Sequence, residues 1–361
     1  MFDVLAAEAT APRAETVTDR GGEPDVRTST CEAPVVPGGA WSADFVQRLD
    51  HLRPVPRTLV HRAAMAEVFL TDTAPIGEDH FLVAAQWPRD HALYYPDPLG
   101  RTDPLLIAET LRQSLVYLSH EYYDVPLGYR FVAYDMDFEI TDPAPLRVRG
   151  VPHSVVLDVR CVRVGHRPPR RHGLRLEAEL TVDGKVCGRA GIRFIALDER
   201  TYQVLRSRST PYASPVSLTS DAGRTGPGGA EWETVPPTGT GRLRAKDCVL
   251  ERSAAGEWRM RIDTDHAILF DHPTDHLPMM ASLEGFRQLG HLLVNGGSSD
   301  VGAYSLVSCT TDCRLFVELD APVSLVVRDD RHDAGTRRLT VDAVQCGKVV
   351  TTADLVWAEN G

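Results

Sequence analysis

Hydrophobic and polar positions alternate in two successive blocks of this chain, and each block is interrupted by one long apolar helix. In 174-LRLEAELTV-182, Leu174, Leu176, Ala178, Leu180 and Val182 fall at every second position. That period predicts a half-buried antiparallel strand. Asp183-Gly184 then supplies a hairpin turn before 185-KVCGRAGIRFIAL-197. The chain closes in the same way over 338-RLTVDAVQCGKVVTTADLVWA-358, with Cys346-Gly347 at the turn. Further stretches of strand length are 59-LVHRAAMAEVFL-70, 81-FLVAAQW-87, 247-DCVLE-251 and 257-EWRMRID-263. Asp103-Pro104, an N-cap residue followed by proline at the first helical position, predicts a helix running LLIAETLRQSLVYLSHEYY.

That helix is apolar around nearly its whole circumference, which predicts enclosure by a sheet. The pattern therefore predicts an α+β fold of two tandem hot-dog domains, each a central helix wrapped by a curled antiparallel sheet, paired as a pseudo-dimer. The blocks are also related in sequence. Residues 90-DHALYYPDPLGRTDPLLIAETLRQ-113 lie over 265-DHAILFDHPTDHLPMMASLEGFRQ-288 at a constant offset, with identities at Asp90/Asp265, His91/His266, Ala92/Ala267, Pro98/Pro273, Glu109/Glu284, Arg112/Arg287 and Gln113/Gln288. Unrelated segments of that length would share about one or two. Low apolar content at the start and a Ser/Thr/Gly/Pro-rich stretch in the middle predict four parts: a flexible arm over 1–45, a first domain over 50–208, a linker over 209–240 and a second domain over 241–361.

The net charge of −11 and pI near 5.6 disfavour nucleic acid or anionic lipid as partner. No apolar run reaches the length of a membrane helix and no signal peptide is legible, so a cytoplasmic protein is expected. Seven irregularly spaced cysteines with no CxxC pair predict reduced thiols.

Two Glu-x-x-Arg pairs, Glu109/Arg112 and Glu284/Arg287, share a face of their helices and stand in apolar surroundings. A charge pair there is either costly structural glue between the blocks or a site. Just ahead of the second helix, 270-FDHPTDHLPMM-280 holds Asp271, His272, Asp275 and His276. Pro273 and Pro278 argue against the helical face that two histidines would need for a metal, so none is expected. The loop instead delivers a histidine toward a helix start whose free amides can hold an oxyanion. The run 166-HRPPRRHGLR-175 is the one strongly cationic patch, a solvated loop or a dock for an acidic carrier protein.

The phrases DHALYY…DPLLIAETLRQSLVYLSHEYYDVPLGYRF and FDHPTDHLPMMASLEGFRQ together resemble the AfsA family of gamma-butyrolactone autoregulator biosynthesis proteins. The resemblance spans both blocks but neither the arm nor the linker. It implies a double hot-dog acyltransferase that joins a 3-oxoacyl group, carried on acyl carrier protein, to the hydroxyl of dihydroxyacetone phosphate. The product is a butenolide precursor of a lactone or furan signal that controls antibiotic production. No cofactor is implied, and the paired domains are expected within one monomer. On this reading Glu284 is the base, His272 assists proton transfer, and Arg287 clamps phosphate or carboxylate. The amides near Met279 to Ala281 serve the oxyanion, with Asp271, His276 and Met279 at the substrate. Glu109 and Arg112 either complete the site across the halves or lock the interface. The family usually has glycine where this chain has Met279. A hot-dog dehydratase or thioesterase using His272 with Glu284 is the alternative within the fold, and a non-catalytic acyl or lactone binder is the alternative outside catalysis.

Overall fold

The computed structural model describes residues 49–209, 231–296 and 302–360. The arm and most of the linker lie outside them.

The first half comprises β1 (Leu70–Gly77), β2 (His80–Trp87), α1 (Leu105–Tyr122), β3 (Arg130–Ile140), β4 (His153–Arg163), β5 (Arg171–Val182), β6 (Lys185–Leu197) and α2 (Glu199–Ser209). The second comprises β7 (Trp232–Thr234), the single turn α3 (Pro237–Thr240), β8 (Leu250–Ser253), β9 (Trp258–Met260), α4 (Met279–Val294), β10 (Tyr304–Cys313), β11 (Val323–Asp333), β12 (Thr336–Gln345) and β13 (Lys348–Glu359). The thirteen strands among the described residues belong to one sheet, in the order β1-β2-β4-β5-β6-β3-β10-β13-β12-β11-β9-β8-β7. From β3 outward in one direction and β10 in the other, the two halves repeat the same strand sequence, apart from the extra β7. They meet where β10 pairs antiparallel with β3, from Ser308↔Glu139 to Asp312↔Asp135.

Local chemistry accounts for the element ends. Asp103 Oδ1 accepts the Leu105 N–H at 2.9 Å, so it caps α1 as expected from sequence. At both hairpins two successive residues have positive φ, Asp183 (48°) with Gly184 (77°) and Cys346 (47°) with Gly347 (75°), as a type I′ turn requires. Thirteen of the eighteen residues of α1 are buried, as are Met280 to Gly290 on α4. Close packing is visible at Gly290, where an added Cβ would stand 2.8 Å from the Trp357 ring.

The stretches 59–70 and 247–251 are not strands over their whole length. Arg57–Val60, Met65–Glu67 and Ala245–Asp247 form 3-10 turns, and pairing starts only at Leu70 and Leu250. These two segments are straps laid against the central helices. Glutamine holds each one: Gln113 Oε1 accepts the Phe69 N–H while its Nε2 donates to Glu67 O, and Gln288 does the same with Val249 and Asp247. His91 and His266 add a second tie in each half, to Glu67 and Asp247. The residues shared between the blocks are thus largely those that fasten strap to helix. Residues 231–240, read as linker, supply β7 and α3.

Candidate active site

The Glu-x-x-Arg pairs sit on the two long helices, and each recruits a second arginine from its strap. Glu284 is fully buried. Its Oε1 accepts Arg242 Nε at 2.7 Å, Arg287 Nη2 at 3.2 Å and Gln288 Nε2 at 2.5 Å, and its Oε2 accepts Arg287 Nε and Arg242 Nη2. Arg242 continues into the first half, to Asp103 Oδ2 and Leu93 O, both at 2.7 Å. Glu109 mirrors this arrangement with Arg62 at 3.0 Å, Arg112 at 2.9 Å and Gln113 at 2.6 Å. Arg62 in turn lies 4.0 Å from Asp271 of the second half. Each half therefore sends one arginine across to a carboxylate of the other.

Burial alone pushes Glu284 up, but Arg242 and Arg287 outweigh it and hold the carboxyl down at about 2. Glu109 is held at about 2 by Arg112 and Arg62 in the same way. Both oxygens of Glu284 are taken up by these donors, so neither is left for a substrate proton. Glu284, expected as the base, and Glu109, expected either to complete the site or to lock the interface, are both centres of ion pairs in this structure. Arg287 is 6% exposed, donates to Glu284 and Thr240 O, and reaches neither of the two cavities described below. A pH effect on stability follows. Carboxylates depressed in the folded state stabilise it fully above their ordinary value near 4.5 and lose that contribution as pH falls toward 2. Thermal denaturation should therefore show Tm dropping most steeply between about pH 4.5 and pH 2.

Arg112 behaves differently from Arg287. It lines a cavity of about 650 Å3 between the halves. One wall of this chamber comes from the first half: Arg57, His61, Arg112, Tyr129, Arg130 and Phe131. The other is the loop Asp271–His276 with Pro278, Met279 and Met280. The sequence reading favoured the second block for the chemistry, with Glu109 and Arg112 completing the site or locking the interface; in the structure the loop faces the helix and strap of the first half. A smaller cavity of about 120 Å3 adjoins it and shares Ala133, His276 and Met279. Its lining is mainly apolar, including Leu205, Leu283, Phe286, Leu315 and Phe316.

The expected loop residues divide by role. Asp271 accepts the backbone N–H of Ala63 at 2.6 Å and of Ala64 at 3.1 Å, so it secures the first strap at the chamber wall. His272 stands at the wall, 3.4 Å from Asp271. His276 Nδ1 lies 2.8 Å from Asp275, whose carboxylate also accepts the Tyr202 hydroxyl at 2.8 Å. Those two hydrogen bonds hold Asp275 below the usual carboxylate range. Met279 lies where the two cavities meet. Ala281 N–H bonds Pro278 O at 3.0 Å, which leaves Met279 and Met280 as the first amides of α4 without an intrahelical acceptor.

Sequence reasoning missed His61, His120, Arg57, Arg130, Tyr129 and Tyr202. His61 was hidden in the segment 59–70 taken for a strand, and Arg57 lies just ahead of it. The signal that could have found His61 is the strap alignment, in which the second half has Gly241 at the matching position.

Comparison with known proteins places this architecture in a family. The model of the A-factor biosynthesis hotdog domain matches residues 44–198 and again 230–358. The chain belongs to the A-factor biosynthesis hotdog family. Within it, the chain is 37% identical over 235 residues to a 2-oxo-3-(phosphooxy)propyl 3-oxoalkanoate synthase of Streptomyces virginiae, covering 65% of this chain and 75% of that one. It is 34% identical over 265 residues to the synthase of the same name from Streptomyces coelicolor, covering 73% and 79%. Among solved structures it is similar to the 12:0-ACP thioesterase of Umbellularia californica, with TM-score 0.45, 11% identity and coverage of 80% and 100%. No helix among the described residues is long and apolar enough to cross a membrane.

Proposed function

We propose that this chain is the acyltransferase that joins a 3-oxoacyl group to a hydroxyl of dihydroxyacetone phosphate, and that the chamber between the halves is where it does so. The observation that carries the reading is the joining of two unlike cavities. One is lined by Arg57, Arg62, Arg112, Arg130 and His272 together with Glu199, Asp271 and Asp275, and the other is an apolar cleft that meets it at Met279. A phosphate dianion fits the first, because guanidinium groups bind phosphate oxygens in pairs. An acyl chain fits the second. The thioester carbonyl then sits near Met279 and Met280, whose free amides stabilise the oxyanion that develops there. Arg112 is already fixed by Glu109, so it meets the phosphate without first being ordered.

The acyl donor is carried on an acidic carrier protein that docks on the basic hairpin loop. Arg163, Arg167 and Arg170 are exposed there on a protein of net charge −11. The loop borders the chamber, since Tyr129 on the chamber wall donates its hydroxyl to Pro169 O at 2.8 Å. Replacing Arg167 and Arg170 together by Glu is expected to lower kcat/KM for the carrier-borne substrate by about tenfold or more. Turnover of a small N-acetylcysteamine thioester should be unaffected.

Chain-length choice resides in the cleft. Ser282 lines it and is buried, so Ser282→Leu is expected to shift the product spectrum toward shorter acyl chains. Mass spectrometry of products from mixed donors reads this directly. The whole proposal is tested by mixing purified protein with a 3-oxoacyl thioester and dihydroxyacetone phosphate. The phosphorylated 3-oxo ester supports it. Free acid or enoyl product regardless of the phosphate points to a thioesterase or dehydratase instead.

A further inference from the structure

We infer that His61 is the general base for this transfer, in a tautomer fixed by His120. The inference rests on the acyl-transfer reading above and names the group that would take the proton. His120 Nδ1 lies 2.6 Å from Val125 O. A carbonyl only accepts, so His120 carries its proton on Nδ1 and, as a neutral ring, offers a lone pair at Nε2. That Nε2 lies 2.9 Å from His61 Nε2. With both rings neutral, His61 must donate from Nε2, which leaves the lone pair on its Nδ1. Among the described residues nothing is hydrogen-bonded to that Nδ1, and His61 lines the chamber.

The surroundings keep the ring neutral and oriented. His120 and Arg112 approach from α1, Arg130 from β3, and His272 from the second half's loop; burial and these neighbours together push His61 down to about 3. Phe131 packs edge-on against it, with ring centroids 5.2 Å apart. Burial is the larger cause; a phosphate dianion beside Arg112 and Arg130 offsets their part of the effect and raises the basicity of His61 when substrate is present.

The backbone supplies an independent observation. His61 has φ 50° and ψ 56°, the left-handed region that a non-glycine residue seldom adopts. The matching residue of the second half is Gly241, at φ 63°. An added Cβ there would stand 2.8 Å from the His291 ring, so that half has no room for the same device. The first half alone places an imidazole at this strained point, beside the chamber.

The step balances as follows. The substrate hydroxyl gives its proton to His61 Nδ1 as its oxygen bonds to the thioester carbon. The tetrahedral intermediate collapses with cleavage of the C–S bond, and His61 returns the proton to the departing thiolate. His120 holds the ring and is a positioning residue.

The test uses His61→Gly, since glycine is native at the matching turn, with His61→Asn as a second variant. Both are assayed for phosphorylated ester by mass spectrometry, and their Tm values are recorded. Folded H61G is expected to lose about 100-fold or more in kcat, with KM for dihydroxyacetone phosphate changed far less, and to recover on addition of imidazole. His120→Gln should keep part of kcat and move the acidic limb of the pH profile, which a purely structural role would not do. A folded H61G or H61N with kcat within about threefold of wild type overturns the inference while leaving the acyltransferase reading intact. If wild-type protein makes no ester from either donor, the acyltransferase reading itself fails.

Discussion

Arg242→Ala is expected to destabilise the protein by about 3–5 kcal/mol, a large share of the stability of a folded chain. Arg242 joins Glu284 of its own half to Asp103 and Leu93 O of the other, and its side chain is 1% exposed. Its removal strands two carboxylates in the interior. Glu284 keeps Arg287 and Gln288, while Asp103 loses the only ion-pair partner it has among the described residues. Asp103 also caps α1, so the damage reaches the first half's central helix. Urea denaturation read by circular dichroism gives the size of the effect. A second variant, Arg242→Ala with Glu284→Gln, should recover part of the loss, because it removes one stranded charge. Recovery identifies the charge, rather than the lost side-chain volume, as the cause.

The second large effect separates the two Glu-x-x-Arg pairs, which the sequence presents as equals. Arg112→Met is expected to raise KM for dihydroxyacetone phosphate by about tenfold or more, because the side chain lines the chamber. Arg287→Met is expected to cost stability but leave KM near wild type in the fraction that folds, because Arg287 is enclosed by Glu284 and Thr240. Steady-state kinetics on both variants, normalised to folded protein, distinguishes them. Equal effects on KM would mean that the two pairs do the same work.

The duplication, the central helices, the hairpins and the interruption at Pro273 and Pro278 were all legible in the chain. They depend on local rules: period, turn chemistry, capping and proline. The straps were not legible, because an apolar run of twelve residues such as 59–70 looks the same whether it pairs with a strand or packs on a helix. The Glu-x-x-Arg pairs were found, but their burial invited a catalytic reading. What makes Glu284 the centre of an ion pair is Arg242, 42 residues away and without a local signature. The chamber was half legible. Its loop, 271–276, stood out by composition, whereas His61, His120 and Arg130 lie on three separate elements of the first half and come together only through the fold.

The most direct measurement is a crystal structure of the protein with dihydroxyacetone phosphate bound. The account predicts phosphorus density between the halves, within about 4 Å of the Arg112 guanidinium, and the substrate hydroxyl beside His61 Nδ1. Phosphate bound instead at Arg287, or anywhere outside the chamber lined by Arg112 and His272, would contradict it.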